Sequence, residues 1–231
     1  MKTLGLIGGM SWESTAIYYR LLNEGARDRL GGLASAEILL WSFDFRGIAE
    51  RQAAGDWAGL GRMMVEAGRR LEAGGAAALV ICTNTMHKLA PEVEAGVGIP
   101  LVHIADATAA AILATPCRRP ALLATRYTME QDFYRGRLAD RHGIACVVPD
   151  EADRALVHRV IYEELCRGIV KPESKAAYLE VVGRLRRAGA DGVIFGCTEV
   201  GMILQQADLD VPAFDTTAIH AAAALDVALA G

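Results

Sequence analysis

Short apolar runs and helical segments alternate along the whole chain. Residues 4–8, 36–41, 77–81 and 101–104 read as strands in the first half, and 121–125, 145–148, 192–195 and 212–214 in the second. Apolar spacing between them predicts helices over 13–30, 57–73, 88–95 and 106–114, then near 130–141, 151–167, 172–188, 200–206 and 218–230. The strands are too continuously apolar for a sheet with one wet face, which calls for parallel sheets covered by helices on both sides. The expected fold class is α/β.

Two of these strands end alike. Ala-Leu-Val-Ile leads into Cys82-Thr83-Asn84, and Gly-Val-Ile-Phe-Gly leads into Cys197-Thr198-Glu199. Each is followed by a helical segment, a Val/Ile-Pro step, an apolar strand and an Asp-x-Thr, at Ile99-Pro100 and Asp106-Ala107-Thr108 in one case and at Val211-Pro212 and Asp215-Thr216-Thr217 in the other. The cysteines are 115 residues apart; setting Ile7-Gly8-Gly9 over Leu123-Ala124-Thr125 puts Tyr18 over Tyr134 and Leu22 over Leu138 at an offset of 116. Two landmarks agreeing within one residue point to an internal duplication. The seam falls near Thr115-Pro116-Cys117-Arg118-Arg119-Pro120, and a ligand is expected between the lobes, at the carboxyl ends of the strands.

Composition narrows the function classes. With 231 residues, 52% of them hydrophobic, the chain can bury a sizeable core. A net charge of -4 without any Lys/Arg block gives no footprint for nucleic acid. No run approaches the roughly 18 to 20 apolar residues of a membrane span, and the amino-terminal run breaks on glycines before it could serve as a signal peptide. Five scattered cysteines without a C-x-x-C pair argue against a zinc or dithiol site and read as reduced thiols of a cytoplasmic protein. Cys117, Cys146 and Cys166 are assigned to core packing.

The chemistry gathers at the strand ends. A thiol between a strand and a helix start meets unpaired N–H groups and the positive end of the helix dipole, a setting that lowers thiol pKa and also holds a carboxylate. Thr83, Asn84, Thr85 and Thr198 supply hydroxyl and amide groups that either bind an α-carboxylate or cap the helices. The loop Gly8-Gly9-Met10-Ser11 is neither a dinucleotide fingerprint nor a Walker motif, so no nucleotide cofactor is implied. Its glycines permit either close approach of a small ligand or a tight turn, with Ser11 as N-cap of the next helix. His87 either assists Cys82 or caps, and Glu199 either bonds near Cys197 or complements a helix start.

The segments Gly5-Leu6-Ile7-Gly8-Gly9-Met10-Ser11-Trp12-Glu13-Ser14-Thr15, Cys82-Thr83-Asn84-Thr85-Met86-His87 and Gly196-Cys197-Thr198-Glu199 resemble the aspartate/glutamate racemase family. The likeness includes Thr125-Arg126-Tyr127-Thr128-Met129-Glu130-Gln131-Asp132-Phe133-Tyr134 and covers essentially the whole chain, with most similarity to the bacterial broad-specificity amino-acid racemase branch. It implies two Rossmann-like lobes related by a pseudo-twofold axis, an active site in the interlobe cleft, a homodimer, and neither pyridoxal phosphate nor a metal. It also implies that the last strand and helix cross back, so that residues 1–113 and 213–231 form one lobe and 114–212 the other.

On that resemblance Cys82 and Cys197 are the catalytic pair, one starting as thiolate and the other as thiol, removing the α-proton of an amino acid from one face and returning a proton to the other. Thr83, Asn84, Thr85 and Thr198 would stabilise the developing charge, Gly9, Met10 and Ser11 would line the other side, and Thr125 would stand near the cleft by the repeat. Family members committed to aspartate carry basic residues that grip the side-chain carboxylate. Here those neighbourhoods read Phe43-Asp44-Phe45-Arg46 and Glu163-Glu164-Leu165-Cys166-Arg167, with Cys166 where a lysine is expected, which implies a wider pocket open to neutral amino acids. The rival readings are a related two-cysteine isomerase, a hydantoin racemase, and a non-catalytic amino-acid-binding module.

Overall fold

In the first sheet every second side chain goes to a different core, because successive residues of a strand face opposite ways. The computed structural model describes residues 1–230 and divides into two units, Met1–Ile104 with the chain from His220 onward, and Ala105–Ile219. The first unit runs β1 (Leu4–Gly8), α1 (Trp12–Leu30), β2 (Ile38–Ser42), α2 (Phe45–Ala54), α3 (Trp57–Ala73), β3 (Ala78–Ile81), a 3-10 turn (Thr85–Leu89), α4 (Ala90–Gly96), β4 (Leu101–Val102) and the start of α5 (Ile104–Leu113). Its strands pair in parallel in the order β2-β1-β3-β4. Ile7, Leu79 and Ile81 pack with Leu60, Met64 and Leu71 of α3 on one face. Leu4, Leu6, Ala78, Val80 and Cys82 pack with Tyr18 and Leu22 of α1 on the other. Cys82 thus continues the alternation of β3 one step beyond its ladder.

The second unit continues with α5, β5 (Pro120–Ala124), α6 (Arg126–Glu130), α7 (Asp132–His142), α8 (Glu151–Glu163), a 3-10 turn (Leu165–Arg167), α9 (Pro172–Arg187), β6 (Gly192–Gly196), α10 (Val200–Ile203), a 3-10 turn (Gln206–Asp208), β7 (Ala213–Asp215) and the first turn of α11 (Thr216–Leu229). Its parallel sheet has the order β5-β6-β7. The strand expected over 145–148 is reduced to one parallel bridge, Ala121 to Val147. Pro149 has no N–H to extend a ladder, and Asp150 already caps α8 by accepting from the Asp153 N–H. With that bridge counted, β5 and β6 hold the places in their sheet that β1 and β3 hold in theirs.

The division falls at 104/105 and 219/220, whereas the family resemblance implies 113/114 and 212/213. β7 stays with the second sheet because its ladder is formed with β6. α5 belongs to the second unit through Asp106, whose carboxylate accepts from the Arg137 guanidinium at 2.8 and 2.5 Å and lies 2.9 Å from His142 Nε2. α11 belongs to the first, where Ala221, Ala224, Leu225 and Ala228 complete the face shared with α1. α2 was absent from the apolar pattern, although its ends are marked: Asp44 caps it by accepting from the Arg46 N–H, and Gly55 closes it at φ +72°.

Tyr18 and Tyr134, paired by the repeat, are both fully buried. Tyr134 donates to Thr108 Oγ1 of α5 at 3.2 Å. Tyr18 bonds His220 Nδ1 of α11 at 2.8 Å, while His220 Nε2 donates to the Val102 carbonyl at 2.8 Å, which leaves Nδ1 as acceptor and the phenol as donor. Burial drives the His220 pKa down to about 4. A histidine held neutral in the fold but free to take a proton in the unfolded chain adds nothing to the pH dependence above about 6.5 and costs stability progressively as pH falls from there towards 4, about 3 kcal/mol over that range. Urea titrations at pH 7 and pH 4.5 check this: the His220→Asn variant is expected to lose less stability between the two than the wild type. Tyr18→Phe strands the buried Nδ1 and is expected to lower stability by about 1 to 3 kcal/mol in the same assay.

Candidate active site

Each central strand delivers one thiol at its carboxyl end. Cys82 follows β3 and receives the end of the ladder through its own N–H, which donates to the Ile7 carbonyl at 2.9 Å. Cys197 follows β6, and its carbonyl accepts the Val200 N–H at 3.0 Å, starting α10. The elements that follow are a five-residue 3-10 turn and a four-residue helix, too short to aim a substantial dipole at either sulfur. Burial therefore decides. The expected lowering of the thiol pKa is reversed: Cys82, fully buried, is pushed well above the usual thiol range by loss of water. Cys197 is raised by burial first, then by the charge of Glu199, then by Cys166.

The surroundings of the two sulfurs differ. Cys82 Sγ lies 3.9 Å from the Val80 carbonyl, within the apolar face of the first sheet. Cys197 Sγ, half-buried, donates to Glu199 Oε2 at 2.8 Å. Cys166, in the 3-10 turn after α8, faces the other oxygen of the same carboxylate, with Sγ 3.7 Å from Oε1. The packing role assigned to Cys166 is thus incomplete: it is a neighbour of Cys197 through Glu199. Cys117 does hold structure, its Sγ donating to Asp191 Oδ1 at 2.9 Å while the Arg118 and Arg119 N–H groups reach the same carboxylate at 2.8 and 2.7 Å.

The polar groups of the first unit cluster behind Cys82. Thr83, half-buried, and the buried Asn84 and Thr85 follow it in sequence. His87 serves this loop: its Nδ1–H donates to the Thr83 carbonyl at 2.8 Å and its Nε2 accepts the Ile104 N–H, at the start of α5, at 3.2 Å. That is the capping alternative. The ring of His103 is 4.7 Å from that of His87, and His220 is 5.5 Å away on the same ring.

The glycine loop after β1 is a tight turn for a steric reason. Gly9 has φ +78°, and a Cβ there would fall 2.2 Å from the Phe43 carbonyl oxygen and 2.4 Å from the Phe43 nitrogen. Its N–H donates to Thr15 Oγ1 at 2.8 Å. Met10 belongs to the α3 core, and Ser11 caps α1 by accepting the Ser14 N–H at 3.3 Å. The second unit repeats the cap: Thr125, directly after β5, accepts the Thr128 N–H at 3.4 Å. Thr198 accepts from Thr217 Oγ1 at 3.1 Å, and Thr216 Oγ1 donates to the Phe195 carbonyl at 2.7 Å, so the start of α11 steadies the end of β6. Arg46 lies exposed in the first turn of α2. The contact of Glu199 with two thiols is the feature that sequence reasoning left open; the i, i+2 spacing from Cys197 was its one legible sign.

Among the described residues, no three His, Cys, Asp or Glu side chains converge as a metal-binding group, and no helix is long and apolar enough to cross a membrane. The family model for Asp/Glu/hydantoin racemases matches residues 7–224. The crystal structure of a candidate Asp/Glu racemase from Yersinia pestis is similar over 100% of both chains, at 53% identity and a TM-score of 0.93. An aspartate racemase homologue from Pyrococcus horikoshii shares 33% identity over 99% of both chains, with a TM-score of 0.86. The aspartate racemase of Picrophilus torridus has the same fold at 21% identity, covering 99% of this chain and 94% of its own, with a TM-score of 0.78. With this match over nearly its whole length, and with a thiol closing the equivalent strand of each of its two parallel sheets, the chain belongs to the Asp/Glu/hydantoin racemase family.

Proposed function

We propose that the protein is an amino-acid racemase that works without pyridoxal phosphate or a metal, using Cys82 and Cys197 as the two proton-transfer groups. The observation that carries this reading is the recurrence of a thiol at the end of β3 and of β6, which hold corresponding positions in sheets of like order. Inversion at an α-carbon needs a base on one face and an acid on the other, with roles exchanged for the opposite enantiomer. Two chemically identical groups at related places meet that symmetry.

The raised thiol pKa values suit the task. An α-proton is weakly acidic, and the stronger base formed by a desolvated thiolate narrows the gap that the transfer must cross. Water removed from the sulfurs also strengthens the hydrogen bonds that stabilise the carbanion. In this reading Thr83, Asn84, Thr85 and Thr198 hold the substrate carboxylate, with Gly9, Ser11 and Thr125 completing the walls, while Met10, expected among them, stays in the α3 core. Breadth towards neutral side chains is supported by Cys166, a neutral thiol, standing opposite Glu199 where a cation would favour acidic substrates. The homodimer that the family likeness implies is part of the same reading, as is a cytoplasmic setting in which the five thiols stay reduced.

Incubation with a panel of L- and D-amino acids and 5-substituted hydantoins in deuterated water, followed by chiral analysis and α-deuterium measurement, is expected to show inversion of amino acids with solvent deuterium incorporated. No exchange for any member of the panel would remove the reading, and exchange confined to 5-substituted hydantoins would move the substrate class. Cys82→Ser and Cys197→Ser are each expected to lower kcat/KM by at least about a hundredfold. Cys117→Ser and Cys146→Ser should remain within a few-fold of wild type, about the level of a packing change. Normal turnover in either of the first two variants would refute the two-thiol assignment.

A further inference from the structure

Loss of the α-proton adds negative charge beside the substrate carboxylate, so the groups facing that carboxylate must be aimed before the reaction begins. In the first unit the aim depends on the Thr83–Asn84 peptide, directly after the Cys82 thiol. A buried histidine holds it. The Nδ1–H of His87 donates to the Thr83 carbonyl at 2.8 Å, and the main-chain N–H of the same residue donates to the Asn84 carbonyl at 3.1 Å. Two successive carbonyls are thus turned towards His87. A trans peptide sends its N–H away from its own carbonyl, so the ring contact also fixes the direction of the Asn84 N–H, on the side opposite the histidine.

His87 itself has little freedom. Its Nε2 accepts the Ile104 N–H at 3.2 Å, where α5 starts, so the ring is gripped at both nitrogens, and only 1% of the residue is exposed. The rings of His103 and His220 stand 4.7 and 5.5 Å away, and His220 is fixed in turn by Tyr18 and the Val102 carbonyl. One tautomer satisfies both bonds of His87: a proton on Nδ1 and a lone pair on Nε2. An Nε2–H ring could serve neither partner, and an imidazolium could not accept from Ile104.

Resting on the racemase reading above, we propose that His87 is a positioning residue for the substrate carboxylate: as the Nδ1–H tautomer it holds the Thr83 carbonyl back and thereby aims the Asn84 N–H at that carboxylate. His87 touches neither the substrate nor a reacting thiol in this role, and no proton moves through it. The rest of the turn is pinned by the sheet, with the Cys82 N–H donating to the Ile7 carbonyl at 2.9 Å and the Thr83 N–H to the Ile81 carbonyl at 2.8 Å. His87 secures the other end. As the α-proton leaves, the charge spreading onto the carboxylate then meets a donor already in place, and no peptide has to turn at that moment.

The two ring nitrogens can be replaced one at a time. Asn carries its amide nitrogen at the place of Nδ1 and keeps a donor for the Thr83 carbonyl, whereas Gln reaches the place of Nε2 and keeps an acceptor for the Ile104 N–H but leaves the Thr83 carbonyl without its donor. Both variants lose the ring, so similar drops in melting temperature are expected. Kinetics separate them. His87→Gln is expected to lower kcat about fiftyfold while raising KM less than about fivefold, because the donor counts most when the carboxylate carries the added charge. His87→Asn is expected to recover at least about tenfold of that loss. Equal losses in the two variants, or the smaller loss in His87→Gln, overturn the proposal and leave His87 as packing. The wild type supplies a reading that needs no variant: NMR of protein labelled with heavy nitrogen in histidine, at about pH 7.5, is expected to show His87 protonated on Nδ1. An Nε2–H or doubly protonated ring overturns the proposal even where both variants fail to fold. Inversion by a wild type with such a ring removes the role of His87 alone; no inversion and no deuterium uptake in the wild type removes the racemase reading and this role together.

Discussion

A parallel strand covered on both faces can present a polar group only where its ladder stops, and β1, β3, β5 and β6 are all buried end to end. The helices that cover them leave the carboxyl ends as the places where backbone N–H groups and side chains still need partners. Ser11, Thr83, Thr125 and Thr198 stand there, each within a few residues of a strand end and each engaged in a turn or cap. The period-two alternation that builds the cores also decides where Cys82 points: two residues beyond Val80, it goes to the α1 and α11 face.

Water exclusion then has opposite consequences for ground state and chemistry. It makes a resting thiolate costly at Cys82 and Cys197, which is why both titrate upward in place of the depressed values that helix starts would favour. The same exclusion makes any thiolate that does form a stronger base. The two thiols are also held differently: Cys197 Sγ donates to Glu199 Oε2 at 2.8 Å in one unit, and Cys82 Sγ lies 3.9 Å from the Val80 carbonyl in the other.

Much of the architecture was legible because it rests on local pattern. The continuous apolar runs located β1, β3, β5 and β6 to within a residue or so, and the repeat found the buried pair Tyr18 and Tyr134 before their partners on α11 and α5 were known. The misses have non-local causes. Whether 145–148 forms a strand depends on Pro149 and on the cap of α8; whether β7 joins one sheet or the other depends on which ladder it can enter. Electrostatics was the least legible part. The position of Cys82 after a strand suggested an acidic thiol, and only the packing around it, with Val80, Tyr18 and Leu22, shows that desolvation dominates. Glu199 was visible as a residue two places after Cys197, but its link to Cys166 needs the turn after α8 to bring that thiol back.

The assignment of α11 to the first unit has a consequence for how the chain is made. The Lys2 N–H donates to the Ala228 carbonyl at 2.8 Å, and Leu225 lies where a side chain on Gly25 of α1 would stand. The face of α1 therefore waits for residues added more than a hundred and ninety positions later in synthesis, whereas Ala105–Ile219 is one continuous stretch. During translation the continuous unit has all its parts first, and the unit begun earliest is the last to close. Until then the side of α1 that α11 covers stays open to water, which makes the nascent chain, and not the finished protein, the form most exposed to aggregation.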